Sequence, residues 1–528
     1  MARVMTSLLR VIFPLALSTP AVARMVLNLH HDSLHLGEGR EFKPTCSSLA
    51  NKQTHFTVRI GVGTPPQFFD VVADTGSDSV IVNSCLCAQT GHCSPKDRCF
   101  QGEDQSSTFS LAEEFDAQSN ATYLESIVIT FGSGQVQAVI ASDVVQVGKA
   151  SAQMTEGLLL MVNKALNFDG PFEGILGLGI PKRQPKTMLY QSQQDAQAGA
   201  HEFYDPKGFL EEAGVPRFSM CFNYNQDGVL RLGGPEPKLT LGSVGKAHWG
   251  LDFRGISVVA SESVAMLSTP ADPPTAAVEA VEVRSGFCSE ASKKPGQVTA
   301  CGVIPDSGST LMMGPKEHLI ELFGLICDAW PTCQREAQKQ SNEPKHKVFQ
   351  TLLMRCTEWL PGGLDELPTL KFHVAGSDGK EEILEMPSNG YIDEIIEEEV
   401  QYVRANLMGV FPVELVQPTG KFLTVCTPAF GTMDYNTQLN GPVWILGTPL
   451  FYEYQVGYEL NSQPPGLSFS TAECGACEDG EIKAAPNKTA FLTKERSILG
   501  GRHSRGQRLP RRISGPPRIP KFDTAVPL

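Results

Sequence analysis

At 528 residues, the chain is too long for one ordinary hydrophobic core and suits two domains of ordinary size with extensions. Its composition, with 41% hydrophobic residues, 19% charged residues, 49 Gly and 37 Pro, excludes a bundle of long amphipathic helices and favours a mainly β, loop-rich protein. The formal net charge of −14 argues against nucleic acid as the main partner, because an acidic body repels phosphates.

The N-terminus has the layout of a secretory signal peptide, which we predict to span residues 1–23. Arg3 precedes the apolar run Val11–Leu17, and the small-residue sequence Ala21–Ala23 follows it. An uncleaved membrane anchor is the alternative, but Arg10 shortens the apolar run below the ~20 residues that a span requires. We therefore expect a protein of the secretory route with no later transmembrane segment, either secreted or held in an acidic vesicle, vacuole or lysosome-like compartment.

Strand signals begin after this leader. Residues 24–54 show no clear periodicity and are either a short pro-segment or the first strand of the mature protein. From Phe56 onward, apolar runs alternate with turn residues, first at Phe56–Ile60 and then at Phe68–Ala73. The second run leads directly into Asp74, so the sequence predicts a hairpin whose second strand ends at a carboxylate.

An internal repeat organises the rest of the chain. The acidic loop Asp74–Ser77 (DTGS) follows an apolar run, and the apolar, Gly-rich segment Gly174–Gly179 comes one hundred residues later. The same order recurs as Asp306–Ser309 (DSGS) and then Ile445–Gly447. Two copies of one strand–loop unit predict two similar lobes with one aspartate from each.

We place the two lobes at residues 55–235 and 236–470. The segments 182–201 and 334–349 are Gln-rich and are predicted, with the Ala/Pro-rich segment 260–286, to be surface insertions. Residues 471–528 are predicted to be a basic, disordered tail, because the last 32 residues carry seven Lys or Arg against one Asp.

The repeated aspartates indicate acid–base chemistry. Two carboxylates held within hydrogen-bonding distance cannot both ionise, so they share one proton. One then acts as general base on a water molecule while the other, protonated, polarises a carbonyl group. Gly76 and Gly308 allow each loop to turn tightly beside its carboxylate. The sequence therefore predicts a hydrolytic site built on Asp74 and Asp306.

On these motifs, the chain resembles the pepsin-family (A1-type) aspartic peptidases over residues 54–470. The resemblance implies a mainly β, bilobal pepsin-like acid protease fold, with two similar β-barrel-like lobes and an active-site cleft between them. It also implies the proton-sharing pair, which is long established for aspartic proteases. In that family, Thr75 and Ser307 would tie the two loops together, and Ser77 and Ser309 would hydrogen-bond the outer carboxylate oxygens.

The resemblance predicts a flap, a hairpin over the cleft that usually carries Tyr-Gly-Thr-Gly. The corresponding residues are Phe131, Gly132, Ser133 and Gly134, so the Tyr hydroxyl of the pattern is lost. Its usual Trp partner is replaced by Ile81. Because both partners are apolar, neither leaves a polar group unpaired, and we expect the change to affect rate and subsite shape rather than reaction class.

The 14 cysteines, an even number, favour disulfides over metal ligands in a secreted chain. Zinc remains an alternative for the cluster Cys85, Cys87, Cys93 and Cys99, although its spacing lacks paired C-x-x-C motifs. A redox role is the weaker alternative for the lone C-x-x-C at 474–477, beside a local or tail disulfide. The family resemblance implies two second-lobe disulfides, Cys288–Cys301 and Cys356–Cys426.

Maturation in the secretory route would leave two further marks. Sequons at Asn120 and Asn487 predict N-glycosylation, although such triplets also arise by chance. Basic residues at Arg24, Arg40 and Lys43 would allow a short pro-segment to pair with the aspartates and hold the enzyme as a zymogen.

We therefore expect a monomeric aspartic endopeptidase that binds polypeptides in extended conformation, cuts beside bulky apolar residues at acidic pH, and needs no cofactor or metal. A catalytically silent pepsin-fold binding protein is the second hypothesis, although that class normally loses one aspartate. A metal-dependent hydrolase and a Ser hydrolase are the others. The sequence lacks the H-E-x-x-H motif of the former and the G-x-S-x-G motif of the latter.

Overall fold

The computed structural model of the protein describes residues 42–116, 120–131, 134–166, 173–180, 184–185, 187–188, 203–261, 281–360, 363–407, 411–483 and 511–513. The predicted signal peptide 1–23, residues 24–41 of the possible pro-segment, flap residues Gly132 and Ser133, and the sequon at Asn487 lie outside these ranges. Within them, no helix is both long and apolar enough to cross a bilayer.

The described chain is mainly β. Its first sixteen strands are β1 (Thr45–Asn51), β2 (Phe56–Val62), β3 (Gln67–Asp74), β4 (Val80–Asn83), β5 (Ser110–Leu111), β6 (Glu113–Asp116), β7 (Ala121–Phe131), β8 (Gly134–Val147), β9 (Ala150–Leu166), β10 (Gly174–Gly177), β11 (Gln184–Pro185), β12 (Thr187–Met188), β13 (Phe203–Tyr204), β14 (Arg217–Asn223), β15 (Gln226–Leu232) and β16 (Leu241–Gly242). The strands that follow are β17 (Leu251–Val259), β18 (Glu282–Arg284), β19 (Gly302–Pro305), β20 (Met312–Gly314), β21 (Thr369–Ala375), β22 (Glu381–Met386), β23 (Ile392–Leu407), β24 (Phe411–Pro428), β25 (Phe430–Thr432), β26 (Asn436–Thr437), β27 (Gly441–Leu446), β28 (Gln455–Glu459), β29 (Gly466–Ser470), β30 (Ala476–Glu478), β31 (Glu481–Lys483) and β32 (Arg511–Ile513).

Helices are short and lie mostly in the second half. They are α1 (Cys85–Gln89), α2 (Phe209–Glu212), α3 (Lys316–Ala329), α4 (Pro331–Lys339), α5 (Lys345–Met354), α6 (Ser388–Tyr391) and α7 (Thr448–Glu453), with 3-10 turns at Gly102–Asp104, Glu290–Ser292 and Cys356–Glu358. Helix α3 buries Leu319, Leu322, Phe323 and Ile326, the i, i+3, i+4, i+7 stripe of a helix packed on a core.

The predicted surface insertion 334–349 needs correction. It falls in α4 and α5, and Val348 and Phe349 of α5 are buried. Its polar composition hid an apolar helical face, so the segment is part of the packed structure rather than a loop on it.

Two large sheets contain the repeated strand–loop units. The first has the order β12-β7-β8-β9-β4-β10-β3-β2-β1-β15-β14-β28-β29-β16, with β5 on β8 and β6 on β7. The second has the order β22-β21-β17-β19-β27-β20-β25, with β18 on β17 and β26 on β27. Smaller sheets are β24-β23-β32, β11-β13 and β30-β31.

The same topology surrounds each acidic loop. Strand β10 lies between β3 and β4, parallel to β3 and antiparallel to β4. Strand β27 lies in the same way between β19 and β20. The register places Gly177 opposite Asp74 in one unit and Leu446 opposite Pro305 in the other. The predicted repeat is therefore a repeat of structure, with an apolar crossing strand behind each aspartate.

The C-terminal strands do not stay with the second sheet. The sequence assigns residues 455–470 to the second lobe, whereas β28 and β29 join the first sheet, where β28 pairs with β14 from Arg217↔Glu459 to Met220↔Val456. Arg217 also binds the Glu459 carboxylate, at 2.8 Å. One continuous sheet thus contains strands from both halves of the chain.

Both ends of the described core are also anchored to this sheet. Residues 45–51 form β1, which pairs with β15 and β2, so this part of the 24–54 segment belongs to the folded protein. Residues 471–483, predicted to begin the disordered tail, instead carry two disulfides, Cys46–Cys477 and Cys221–Cys474, and the β30–β31 hairpin. The basic composition that predicted disorder belongs to the far tail and not to residues 471–483. The predicted tail boundary at 471 is therefore wrong.

Candidate active site

The two repeated loops meet. Asp74 ends β3 and Asp306 follows β19, and their carboxyl groups interact directly with each other. Both side chains are almost completely buried, with 4% of Asp74 and 1% of Asp306 exposed. Such a pair cannot be doubly ionised without severe repulsion, which is the condition that the sequence analysis anticipated.

Each carboxylate is held by the same two donors. Asp74 accepts the Gly76 N–H through Oδ1 at 3.0 Å and the Ser77 hydroxyl through Oδ2 at 2.7 Å. Asp306 accepts the Gly308 N–H through Oδ1 at 2.9 Å, and the Ser309 hydroxyl through Oδ2. The serine hydroxyls hold the Oδ2 atoms, the contacts that the family resemblance implies for Ser77 and Ser309.

The residues after the aspartates cross between the loops. The Thr75 hydroxyl donates to the Pro305 carbonyl at 3.1 Å and accepts the Ser307 N–H at 3.0 Å. The Ser307 hydroxyl donates to the Ala73 carbonyl at 2.8 Å and accepts the Thr75 N–H at 3.1 Å. Both side chains are fully buried. Four reciprocal hydrogen bonds thus fix one aspartate relative to the other.

Glycine is required where the backbone approaches this centre. A Cβ on Gly308 would lie 2.3 Å from Oδ1 of Asp74, and one on Gly177 would lie 2.3 Å from the Ser79 nitrogen. In the second unit, a Cβ on Gly447 would lie 2.3 Å from the Leu311 carbonyl oxygen. The repeated glycines are therefore explained by close packing around the carboxylates.

The surroundings of Asp306 favour its protonated form. Burial, followed by the negative charge of Asp74, raises the pKa of Asp306 well above its ordinary value. The hydrogen bonds from Ser309 and Gly308 act in the opposite direction but are the weaker influence. A carboxyl group whose pKa is raised in this way keeps its proton to higher pH than an ordinary aspartate does.

Further supporting residues were missed by the sequence analysis. The Tyr458 hydroxyl, on β28, lies 3.4 Å from Oγ1 of Thr75 and donates to the Pro305 carbonyl at 3.3 Å. The Thr310 hydroxyl donates to the Thr54 carbonyl at 2.7 Å, again across the two halves. No local motif identifies Tyr458, because it lies 383 positions from Thr75 along the chain.

The predicted flap is a hairpin. Strands β7 and β8 pair down to Phe131↔Gly134. Ile81, on β4, is buried in an apolar cluster with Ile127 of β7, against which Ile129 packs. The contact between Phe131 and Ile81 stays a prediction, whereas the apolar wall around Ile81 is present.

All 14 cysteines form disulfides. The pairs Cys288–Cys301 and Cys356–Cys426 are both present, and the first-lobe cluster pairs as Cys85–Cys99 and Cys87–Cys93. A further disulfide, Cys327–Cys333, joins helices α3 and α4. Of the two disulfide alternatives for the C-x-x-C, the local one is wrong, since Cys474 and Cys477 pair with Cys221 and Cys46 of the first sheet.

Two other clusters have catalytic residue types without catalytic geometry. Cys288, Cys301 and His318 lie close enough for a metal, but both sulfurs are used in a disulfide. Ser257, His373 and Glu381 form a hydrogen-bonded series with both contacts at 2.9 Å. Ser257 lies within β17, paired on both sides by β18 and β21, and is 1% exposed, so its hydroxyl cannot reach a substrate.

The predicted glycosylation site at Asn120 is sterically open. Asn120 is exposed and occupies the turn between β6 and β7. It adopts a left-handed conformation with φ 51°, which Asn tolerates better than most residues. Attachment of a glycan there stays a prediction.

Comparison with known proteins agrees with this geometry. The sequence profile of the family described as eukaryotic aspartyl protease matches residues 55–327, just over half of the chain. Among curated relatives, pepsin A of Sus scrofa is 24% identical over 421 residues, which cover 79% of this chain and 81% of the relative. Renin-2 of Mus musculus is 22% identical over 413 residues, 78% of each chain. Pregnancy-associated glycoprotein 1 of Ovis aries is 40% identical over a shorter stretch of 126 residues, 23% of this chain and 29% of the relative.

Proposed function

This chain belongs to the eukaryotic aspartyl protease family and is an aspartic-type endopeptidase with a pepsin-like fold, and we propose that Asp74 and Asp306 activate its hydrolytic water. The observation that carries the proposal is the buried, interacting pair of carboxyl groups, each held by a glycine N–H and a serine hydroxyl.

The proposed reaction uses one shared proton. Asp74, as the base, takes a proton from water while the water oxygen bonds to the scissile carbonyl carbon. Asp306, as the acid, gives its proton to the carbonyl oxygen, forming a tetrahedral diol. Asp74 then returns its proton to the amide nitrogen while Asp306 takes a proton from a diol hydroxyl, so the C–N bond breaks, an amine and a carboxylic acid leave, and the pair regains its starting protonation. Support for these roles comes from the raised pKa of Asp306.

Activity at acidic pH follows from the same proton. As pH rises through the raised pKa of Asp306, the pair loses its proton and can no longer polarise the carbonyl. We propose extended polypeptides with bulky apolar residues as substrates, the preference that the resemblance to the pepsin family implies. We also propose passage through the secretory route, supported by the complete pairing of the cysteines.

The test replaces each aspartate by its neutral isostere. Asp74→Asn and Asp306→Asn should each abolish cleavage of an unfolded protein substrate while the melting temperature stays close to that of the parent. Asp70→Asn is the matched control, since Asp70 lies on the same strand but forms an outer ion pair with Arg98. Appreciable activity in either dyad variant would overturn the assignment, and a pH–rate profile that is level from acidic to neutral pH would overturn the shared-proton account.

A further inference from the structure

The basic C-terminal tail touches the folded body at one described place. Residues Arg511–Ile513 form β32, which pairs in parallel with β23. Strand β23 pairs on its other side with β24, so the tail adds a third strand to a long hairpin. Without the tail, this edge of β23 would present unpaired backbone groups, the usual template for addition of a strand.

Charge complements the pairing. The register places Arg511 opposite Asp393, and Arg512 opposite Glu394. Asp393 is completely buried and Glu394 is 8% exposed. The backbone register therefore sets two arginines of the tail against two acidic positions of this edge.

The wider sequences have the same opposition of charge. Strand β23 carries five acidic residues against one Arg, whereas residues 502–521 carry seven basic residues and no acidic one. Opposed charges over this length favour encounter and select basic segments over others.

We propose that the outer edge of β23 is a peptide-binding site for a basic extended segment, two arginines followed by an apolar residue, and that the C-terminal tail occupies it in cis. The backbone ladder supplies affinity without regard to sequence, and the acidic positions supply selectivity, as in other cases of strand addition. The site is separate from the paired aspartates and does not depend on their role.

The tether makes a weak site sufficient. Residues 484–510 join β31 to β32, a length of 27 residues that can reach up to about 90 Å when extended. A tethered ligand has an effective concentration on the order of 1 mM. A segment that binds with a dissociation constant of about 0.1 mM would then occupy the edge roughly tenfold more often than it leaves it.

Hydrogen exchange on the full-length protein tests the occupant. Arg511→Glu with Arg512→Glu reverses both charges on the tail alone, so folding of the body is not at risk. Alternate amides of residues 392–396 face the outer edge, and these should exchange about tenfold faster in the variant. The matched control, Arg502→Glu with Arg505→Glu, makes the same change in net charge outside β32 and should leave them protected. Equal exchange in the parent and both variants would overturn the proposal.

A peptide in trans tests the selectivity of the edge. A labelled peptide with the sequence of residues 505–518 should bind the Arg511→Glu/Arg512→Glu protein at least several-fold more tightly than the parent, whose own tail competes for the edge. The same peptide with both central arginines changed to Glu should not bind, and added salt should weaken the parent peptide. Equal binding of both peptides, or no binding to either protein, would refute a charge-selective site.

Discussion

Replacing Ser307 by Ala tests whether the crossed hydroxyls hold the two aspartates in place. The change removes one methyl-sized polar group, the Oγ that donates to the Ala73 carbonyl at 2.8 Å and accepts the Thr75 N–H at 3.1 Å. The Thr75 and Ser307 side chains are fully buried, so solvent has little access to the N–H that loses this acceptor.

The magnitude follows from these two contacts. Each neutral hydrogen bond contributes about 0.5–1.5 kcal/mol, and a buried donor left without an acceptor costs about 1–3 kcal/mol. We therefore expect the free energy of unfolding to fall by about 2–4 kcal/mol. For a lobe of roughly 200 residues, that decrease in free energy corresponds to a fall in melting temperature of roughly 5–10 °C.

Activity should fall more than stability. A shift of about 1 Å between reacting groups can cost on the order of 100-fold in rate, and the crossed bonds set the spacing of Asp74 and Asp306. We expect kcat/KM at acidic pH to drop at least about tenfold, measured below the melting temperature of the variant. Ser307→Thr keeps the hydroxyl and is the control, since Thr75 has this side chain at the equivalent position. A Ser307→Ala protein with unchanged melting and unchanged kcat/KM would refute the reasoning.

Two further predictions concern the glycine beside the dyad and a buried histidine. Gly308→Ala would place a Cβ 2.3 Å from Oδ1 of Asp74, so we expect kcat/KM to fall more than about tenfold. The control, Gly324→Ala, adds a Cβ in open space on α3, so it should retain activity and stabilise the helix by about 0.5–1 kcal/mol in a denaturant titration. Equal activity of the two variants would contradict the close approach at Gly308. Burial lowers the pKa of His318 to about 4, while its Nδ1 accepts the Trp444 indole N–H at 3.1 Å. Between about pH 6.5 and 4, His318 is therefore protonated in the unfolded chain but neutral in the folded protein. As pH falls through that window, the free energy of unfolding decreases by about 1–2 kcal/mol, after allowance for the partial exposure of His318. His318→Gln should reduce the loss of melting temperature between these pH values, and an unaltered pH dependence would show that the histidine is not responsible.

The repeat was the most informative feature of the sequence. Asp74 and Asp306 each follow an apolar run and precede Gly, and the two crossing strands β10 and β27 take the same place behind them. A short apolar strand next to an acidic loop is a local pattern, so both copies of it could be found in the sequence. The family resemblance added the role of the hydroxyl residues after each aspartate, Thr75 and Ser307, which tie the two loops together.

Long-range pairing was not readable in the same way. The half-cystines Cys474 and Cys477 are three residues apart, yet each pairs with a cysteine more than 250 positions away. Composition placed them in a disordered tail, because the far tail is basic and Pro-rich. Likewise, the insertion 334–349 was judged by its polar residues, whereas its end begins a short buried helical stripe formed by Val348, Phe349, Leu352 and Leu353.

The sequence by itself determined the reaction class, since two copies of an acidic loop with the same neighbours have few other chemical uses. Only the tertiary structure decided which groups surround the reacting pair. Tyr458 comes from a strand that returns to the first sheet and lies against Thr75, and the raised pKa of Asp306 arises from burial by the assembled fold. Both effects depend on distances between residues far apart in the chain. A linear sequence records the identities of those residues but not their separation in space, which the packing of the sheets establishes.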